Sequence, residues 1–489
     1  MSREDQIIQE RMRKLEELKK AGVNPYPNKF EKKENCAECL KKKLGSKTKT
    51  AGRLMTKRDI GKIIFSNLRD HTGDIQIVFQ EGETPKKTIE FFKKYVDSGD
   101  FVGLEGKIFK TKTKQISILV QNIELLSKSI LPLPEKFHGL QDKEERYRKR
   151  YLDLLINPEV KEVFKKREKI IATVREHLKK EGFVEVETPN LQAVYGGASA
   201  TPFTTHLNAL DIDLYLSISP ELYLKRLIVG GFRRVFTICK NFRNEGIDYQ
   251  HNPEFTMMEY YSAYDNYEYH MKFTEELFNL LIKNLKLKDE IEYRGKKIKI
   301  KPPFKRVTFR DLIFKESGID IDKANNFEKL KKEILAKKLP GVDIKRCAHY
   351  GALLDELYKR IARPNIVQPT FLTYYPVEMI ALAKRNEKDP SKINSVQLLI
   401  DGTEILKAYD ELNDPIDQEE RLKEQAKLLK GGDKEAMPYD EDFVNALKYG
   451  MPPTAGYGLG IDRIVMLLTG QESIRDVILF PFMKPEERK

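Results

Sequence analysis

Residues 234–264, RVFTICKNFRNEGIDYQHNPEFTMMEYYSAY, concentrate the residue types that could do chemistry. Arg243 offers a planar fork for phosphate or carboxylate, and the ring of Phe255 could stack on a base. Glu245, His251 and Asn252 lie between them. Taken singly, each fits an ordinary charged surface hairpin; as a cluster they suit a planar, anionic ligand. Two apolar-rich runs must hold this cluster. They flank the polar stretch 244–254 and read as an antiparallel hairpin with a long loop. Alternation along the second run puts Phe255, Met257, Glu259 and Tyr261 on one face.

Three further stretches carry polar groups that a site could use. SPELYLKR (219–226) places Glu221 at a helix start, and GGASATPF (196–203) is a small-residue loop open to close approach. In SVQLLIDGTEILKAYDELND (395–414), Asp401–Gly402 is a strong two-residue hairpin signal. Pairing across it sets Leu399 opposite Glu404 and Gln397 opposite Leu406, so Gln397 and Glu404 share a face. Strict alternation puts Lys407 and Glu411 on the other face unless a bulge intervenes. Near the C-terminus, Gly456, Gly458 and Gly460 alternate and bare one side of a strand, and Arg463 follows at the start of an apolar helix.

The 489 residues have room for several domains, and 40% hydrophobic with 33% charged content fits a globular protein. A net charge of +13 favours a polyanionic partner, although an anionic membrane surface would satisfy the same number. No apolar run is long enough to span a membrane. MSREDQIIQE has neither a secretory nor an organellar character, and four cysteines suit a reducing cytoplasm. Cys36 and Cys39 form a CxxC with no second ligand pair at zinc spacing, so two stray thiols are expected rather than a metal site.

Residues 1–50 form a basic arm, with 14 Lys and Arg against 8 Asp and Glu. Its helical spacing suits either a solvated helix packed on a neighbour or a phosphate-contacting one. From 51 to 128 the pattern is five short strands with one helical stretch at 84–96, the pattern of an all-β OB-type barrel. Residues 129–156 read as a linker stiffened by Pro132 and Pro134. Residues 157–489 read as one α+β domain. Asn157 is expected to cap a helix that begins at Pro158 and is followed by a strand in GFVEVETP, and 305–365 looks like a helical insertion.

The string FRNE with its downstream aromatic resembles the second signature motif of class II aminoacyl-tRNA synthetases, and RNEG…HNPEFTMME resembles the lysyl group. GLGIDR before an apolar helix resembles the third motif, and the helix–strand unit after Asn157 the first, which in that family builds a dimer interface. HGLQDKEERYRKRYLDL and ELND match the same group. The resemblance covers roughly 50–489.

It implies an antiparallel sheet flanked by helices, preceded by an OB-fold that reads the tRNA(Lys) anticodon through Arg53, Phe65 and Gln76. It further implies activation of L-lysine by ATP with Mg²⁺ in a cytoplasmic homodimer. Arg243 and Arg463 would be catalytic, and these with Glu245, His251, Asn252, Phe255 and Glu404 would bind ATP. Gly197, Glu221, Glu259, Tyr261, Lys407 and Glu411 would bind lysine, with Glu221 on the α-amino group and Glu411 on the ε-ammonium. Glu404 and Gln397 would hold Mg²⁺, although the family usually has Glu at the latter position and Asn where this chain has Lys407. Two other readings stand beside this one. A sister enzyme for Asp or Asn shares the architecture but does not call for Glu411. A synthetase-derived RNA-binding or regulatory protein without charging activity would accommodate Gln397 and Lys407.

Overall fold

The structure is a computed structural model and describes residues 1–134 and 140–486. The chain forms two compact units, Met1–Gly139 and Leu140–Lys489. Part of the expected linker, 135–139, lies outside the described residues.

In the first unit, strands Lys47–Asp59, Ile63–Asp70, Gly73–Gln80, Phe101–Lys110 and Ile116–Ser127 close into a barrel. The period-two pattern explains the closure. Ile64, Ser66 and Leu68 point inward, whereas Phe65, Asn67 and Arg69 are left partly exposed. The basic arm is not a separate body. Its helix Arg3–Lys20 buries Leu15 and Leu18, and Arg11 donates to the carbonyls of Ser98, Ser129 and Leu131. The CxxC lies in the helix Cys36–Lys41, and both thiols pack into the barrel core with Leu18. Burial pushes the Cys36 thiol up to about 12, as enclosure in an apolar core does.

The second unit is built on an eight-stranded sheet ordered Lys305–Thr308, Thr370–Thr373, Ser395–Ile400, Thr403–Asp410, Thr454–Gly460, Glu254–Ala263, Arg234–Phe242 and Val184–Glu185. The expected antiparallel pattern holds in the middle, but both end pairs are parallel. Lys305–Thr308 is thus a sheet strand at the head of the otherwise helical insertion. GFVEVETP contributes only Val184–Glu185 as strand. Pro158 does start the helix Pro158–Lys180, but Asn157 makes no side-chain cap and instead donates to Asp153.

The sheet separates two cores. Met258, Tyr260, Leu406, Ala408, Tyr457 and Leu459 point to one side, under the helices Pro158–Lys180, Tyr267–Leu285 and Ile461–Thr469. Tyr261, Leu399 and Tyr409 point to the other, against the helix Glu221–Val229 and the insertion. That second face carries the polar groups, so the sheet alternation itself selects which residues can form a site.

Candidate active site

A cavity of 280 Å³ opens on the second face. Its floor is the glycine strand. Gly456, Gly458 and Gly460 lie beside Tyr261, Glu259 and Met257 on one neighbouring strand. On the other, Gly456 pairs with Tyr409 and Gly458 with Lys407. A methyl group on Gly456 would overlap Glu411 Oε1 and come within 2.5 Å of Tyr261 Cε1, so only glycine leaves room here. Of the residues singled out in the sequence, Gly197, Glu221, Arg243, Glu245, His251, Asn252, Phe255, Glu259, Tyr261, Glu404, Lys407 and Arg463 all line this one cavity.

A bulge brings the last of these together. Leu399 faces Glu404 as the sequence suggests, but the register then slips, so Leu398 faces Leu406 and Gln397 faces Lys407. The extra residue rotates the remainder of the strand, and Lys407 and Tyr409 join Glu404 on the cavity side.

One end of the cavity is a cluster of buried charges. Glu221, Glu259 and Glu411 are 4%, 5% and 1% exposed, and Lys225 is fully buried. The Lys225 ammonium lies 2.6 Å from Glu221 Oε1 and pairs also with Glu411. Burial opposes its charge, but the two carboxylates hold it protonated, above its ordinary value. Tyr409 donates its hydroxyl to Glu221 at 2.9 Å, and Ser219 donates to Glu259 at 3.1 Å. Burial first, and then the charge of Glu221, push the Glu259 carboxyl up to about 8. Glu411 does not itself line the cavity; it sits directly beside Gly456, already paired with Lys225. Gly197, at φ +85°, presses its backbone so close to Glu221 and Ser219 that a Cβ would fall 2.8 Å from Glu221 Cβ.

Sequence reasoning missed Lys225, Ser219 and Tyr409. The Glu221–Lys225 pair was visible as an i,i+4 spacing on one helix, but the third partner, Glu411, comes from a distant strand.

The other end is cationic. The Arg243 guanidinium lies over the Phe255 ring, 5.1 Å from its centroid, and donates to the Ile218 carbonyl. Arg463 donates to the Glu404 carbonyl at 3.0 Å and stands 3.5 Å from His251 Nε2. His251 in turn contacts Asp248 through Nδ1 at 2.8 Å. Asn252 donates to the Glu254 carbonyl, and its own buried Oδ1 has no hydrogen-bond partner among the described residues. A buried acceptor without a donor is costly in the protein alone, so it suits a ligand N–H. Gln250, bonded to Thr403 at 2.8 Å, pins the loop to the Glu404 hairpin. Asp462 accepts from Thr256 N and Arg167, fixing the start of the helix that carries Arg463.

The residues expected to hold Mg²⁺ do not make a two-carboxylate site. Gln397 is buried outside the cavity lining, and its Oε1 accepts from the Tyr375 hydroxyl at 2.5 Å. Glu404 lies 3.8 Å from the Arg463 guanidinium. Among the described residues no three His, Cys, Asp or Glu side chains cluster to hold a metal. Hard divalent cations prefer several anionic oxygens, and this donor set offers one.

On the barrel, Phe65 is half-exposed between Arg58 and Val78, and Asn67 beside it pairs with Gln76. Gln76 accepts from Ser117 at 2.7 Å. Arg53 stacks over Phe101, 4.2 Å from the ring centroid. The outer face of these strands therefore presents arginines and accessible rings together, as a surface for unpaired bases requires.

Known proteins place this architecture. The model of the class II tRNA synthetases of the D, K and N group matches residues 142–484, and that of the OB-fold nucleic acid binding domain matches 48–126. The chain is 47% identical to a lysine–tRNA ligase of Syntrophomonas wolfei, over 97% of this chain and 96% of that protein. A lysine–tRNA ligase of Thermotoga maritima is likewise 47% identical, over 98% and 96%. Lysine–tRNA ligase 2 of Methanosarcina mazei is 46% identical, over 98% and 94%. With its two units matched in order and its relatives covered end to end, the chain belongs to the class II tRNA synthetases, in the lysine–tRNA ligase family.

Proposed function

We propose that the cavity binds L-lysine at its carboxylate end and ATP at its cationic end, forms lysyl-adenylate, and passes the lysyl group to tRNA(Lys). The observation that carries this reading is a cluster of three buried carboxyl groups, two of which share the single internal ammonium of Lys225. Positive charge brought into this cluster lets its buried carboxyls ionise, and an amino acid with two ammonium groups supplies it at both ends. An aspartate side chain would add a further negative charge, and asparagine would bring one ammonium group instead of two.

The chemistry needs no protein nucleophile. The lysine carboxylate attacks the ATP α-phosphorus in line, the bond to the pyrophosphate oxygen breaks, and pyrophosphate leaves. The terminal ribose hydroxyl of the tRNA then attacks the activated carbonyl, and AMP leaves. Arg243 meets the α-phosphate and the carboxylate, and Phe255 stacks on adenine. His251 and Arg463 meet the outer phosphates, and Asn252 and Glu245 border the nucleotide. Glu221 takes the α-ammonium with Gly197 closing over it, and Glu411, beside Tyr261 and Glu259, takes the ε-ammonium. Positioning and preorganised charge do the catalysis. No step is assigned to a protein-held Mg²⁺, because residues 397 and 404 do not provide its ligands.

The barrel face of Arg53, Phe65 and Gln76 would receive anticodon bases. The chain would act as a cytoplasmic homodimer, and exposed Val184, Leu191, Val194 and Ile212 supply apolar surface for that contact. Among the described residues no helix is long and apolar enough to cross a membrane. Amino-acid-dependent ATP–pyrophosphate exchange tests the activation reading. Exchange with lysine and none with aspartate or asparagine is expected, and exchange with none of the three would support a non-charging protein.

A further inference from the structure

The cavity contains four side chains that could neutralise a polyphosphate, and three are already engaged. Arg243 is bonded to a carbonyl and lies over a ring, Arg463 is bonded to the Glu404 carbonyl, and His251 contacts Asp248. Lys407 differs. It lines the cavity half-buried, and no hydrogen bond, ion pair or ring contact to a described residue involves its ammonium. The bulge sets it on the face of Glu404, with Gln397 across one strand edge and Gly458 across the other. Gly458 adds no side chain between them, and Gln397 has turned its oxygen to Tyr375.

The charges at this spot therefore run opposite to those of a cation site. A divalent ion here would meet one carboxylate, a nearby guanidinium and a free ammonium. Coulomb repulsion from two fixed cations disfavours it, while the same two cations favour a polyphosphate.

We infer that the Lys407 ammonium is a built-in counter-charge for the nucleotide's phosphates, standing in for a divalent cation held by residues 397 and 404. ATP binding by this chain then does not depend on a protein-bound divalent ion. The inference rests on the ATP reading of the cavity.

The test is calorimetric titration of ATP into the full chain in Mg²⁺ and in EDTA, for the wild type, Lys407→Met and Lys407→Arg. The wild-type Kd in EDTA is expected within about tenfold of its Mg²⁺ value. Lys407→Met should weaken ATP binding in EDTA by more than about tenfold, as for loss of one close charge partner, and Lys407→Arg should restore most of it. An unchanged circular dichroism melt certifies the fold of the variants. A wild type that loses more than tenfold in EDTA, a Met variant that binds ATP there like the wild type, or a Met variant altered only toward lysine overturns the inference. Absence of ATP binding in either medium would instead remove the ATP reading itself.

Discussion

Lysine binding should expel a proton from Glu259, and the burial of that carboxyl beside Glu221 gives the sign. Glu221 and Glu411 share one ammonium from Lys225, and burial pushes the Glu411 carboxyl well above its ordinary value even against that ammonium. Glu259 is buried, and its carboxyl is pushed up to about 8 by burial and by Glu221. It is therefore mostly protonated at pH 7 in the unliganded protein. Lysine brings two ammonium groups, and positive charge beside Glu259 favours its ionised form. Binding should thus draw the carboxyl back toward its ordinary value of about 4.3 and release its proton at neutral pH. Lysine affinity then rises by up to about tenfold per pH unit between roughly pH 5 and 8, and levels off above. Stability of the free protein should move the other way. A carboxyl whose folded value is raised binds more protons folded than unfolded, so stability falls as pH rises through that window. Titration calorimetry at pH 7 in two buffers of different ionisation enthalpy counts the released protons. Glu259→Gln should reduce the buffer dependence. Equal enthalpies in both buffers for the wild type, with pH-independent affinity, would refute the charge-matching argument.

Other perturbations separate the remaining parts. Arg243→Ala should lower ATP–pyrophosphate exchange by at least ~100-fold, as for loss of one preorganised charge donor, while the circular dichroism melt stays unchanged; near-normal exchange would remove Arg243 from the chemistry. Glu411→Gln should raise the lysine KM on the order of a hundredfold, since breaking a buried charge pair costs about 2–5 kcal/mol, and leave the ATP KM nearly alone. Phe65→Ala should weaken tRNA charging by about 1–3 kcal/mol without touching lysine activation, the value of one stacked base. Equal losses in both assays would make Phe65 a structural residue of the barrel.

Much of the site was legible because its signals are local. The hairpin of Arg243 and Phe255, the bare glycine strand and the Asp401–Gly402 turn each follow from alternation and turn residues within a few positions. Both turn residues indeed adopt positive φ. The slip between Leu398 and Leu399 left no mark in composition, because a bulge adds a residue without changing its type. Lys225 was hidden for another reason: a buried ammonium looks like any helical lysine until Glu411 is brought against it by the sheet order. Likewise, Gln397 keeps the register of a ligand position, yet its partner Tyr375 lies beyond any local pattern. The arm reads as a polar segment in sequence, and only tertiary packing shows Leu18, Cys36 and Cys39 to be part of the barrel core.

The central claim is that the carboxylate cluster is the lysine pocket. A crystal structure with a non-hydrolysable lysyl-adenylate analogue tests it most directly. The ε-ammonium should lie within hydrogen-bonding distance of Glu411 and the α-ammonium of Glu221, with the adenine on Phe255 and the α-phosphate on Arg243. An analogue whose lysyl chain points away from Glu221 and Glu411, with Lys225 still holding both carboxylates undisturbed, would contradict the account.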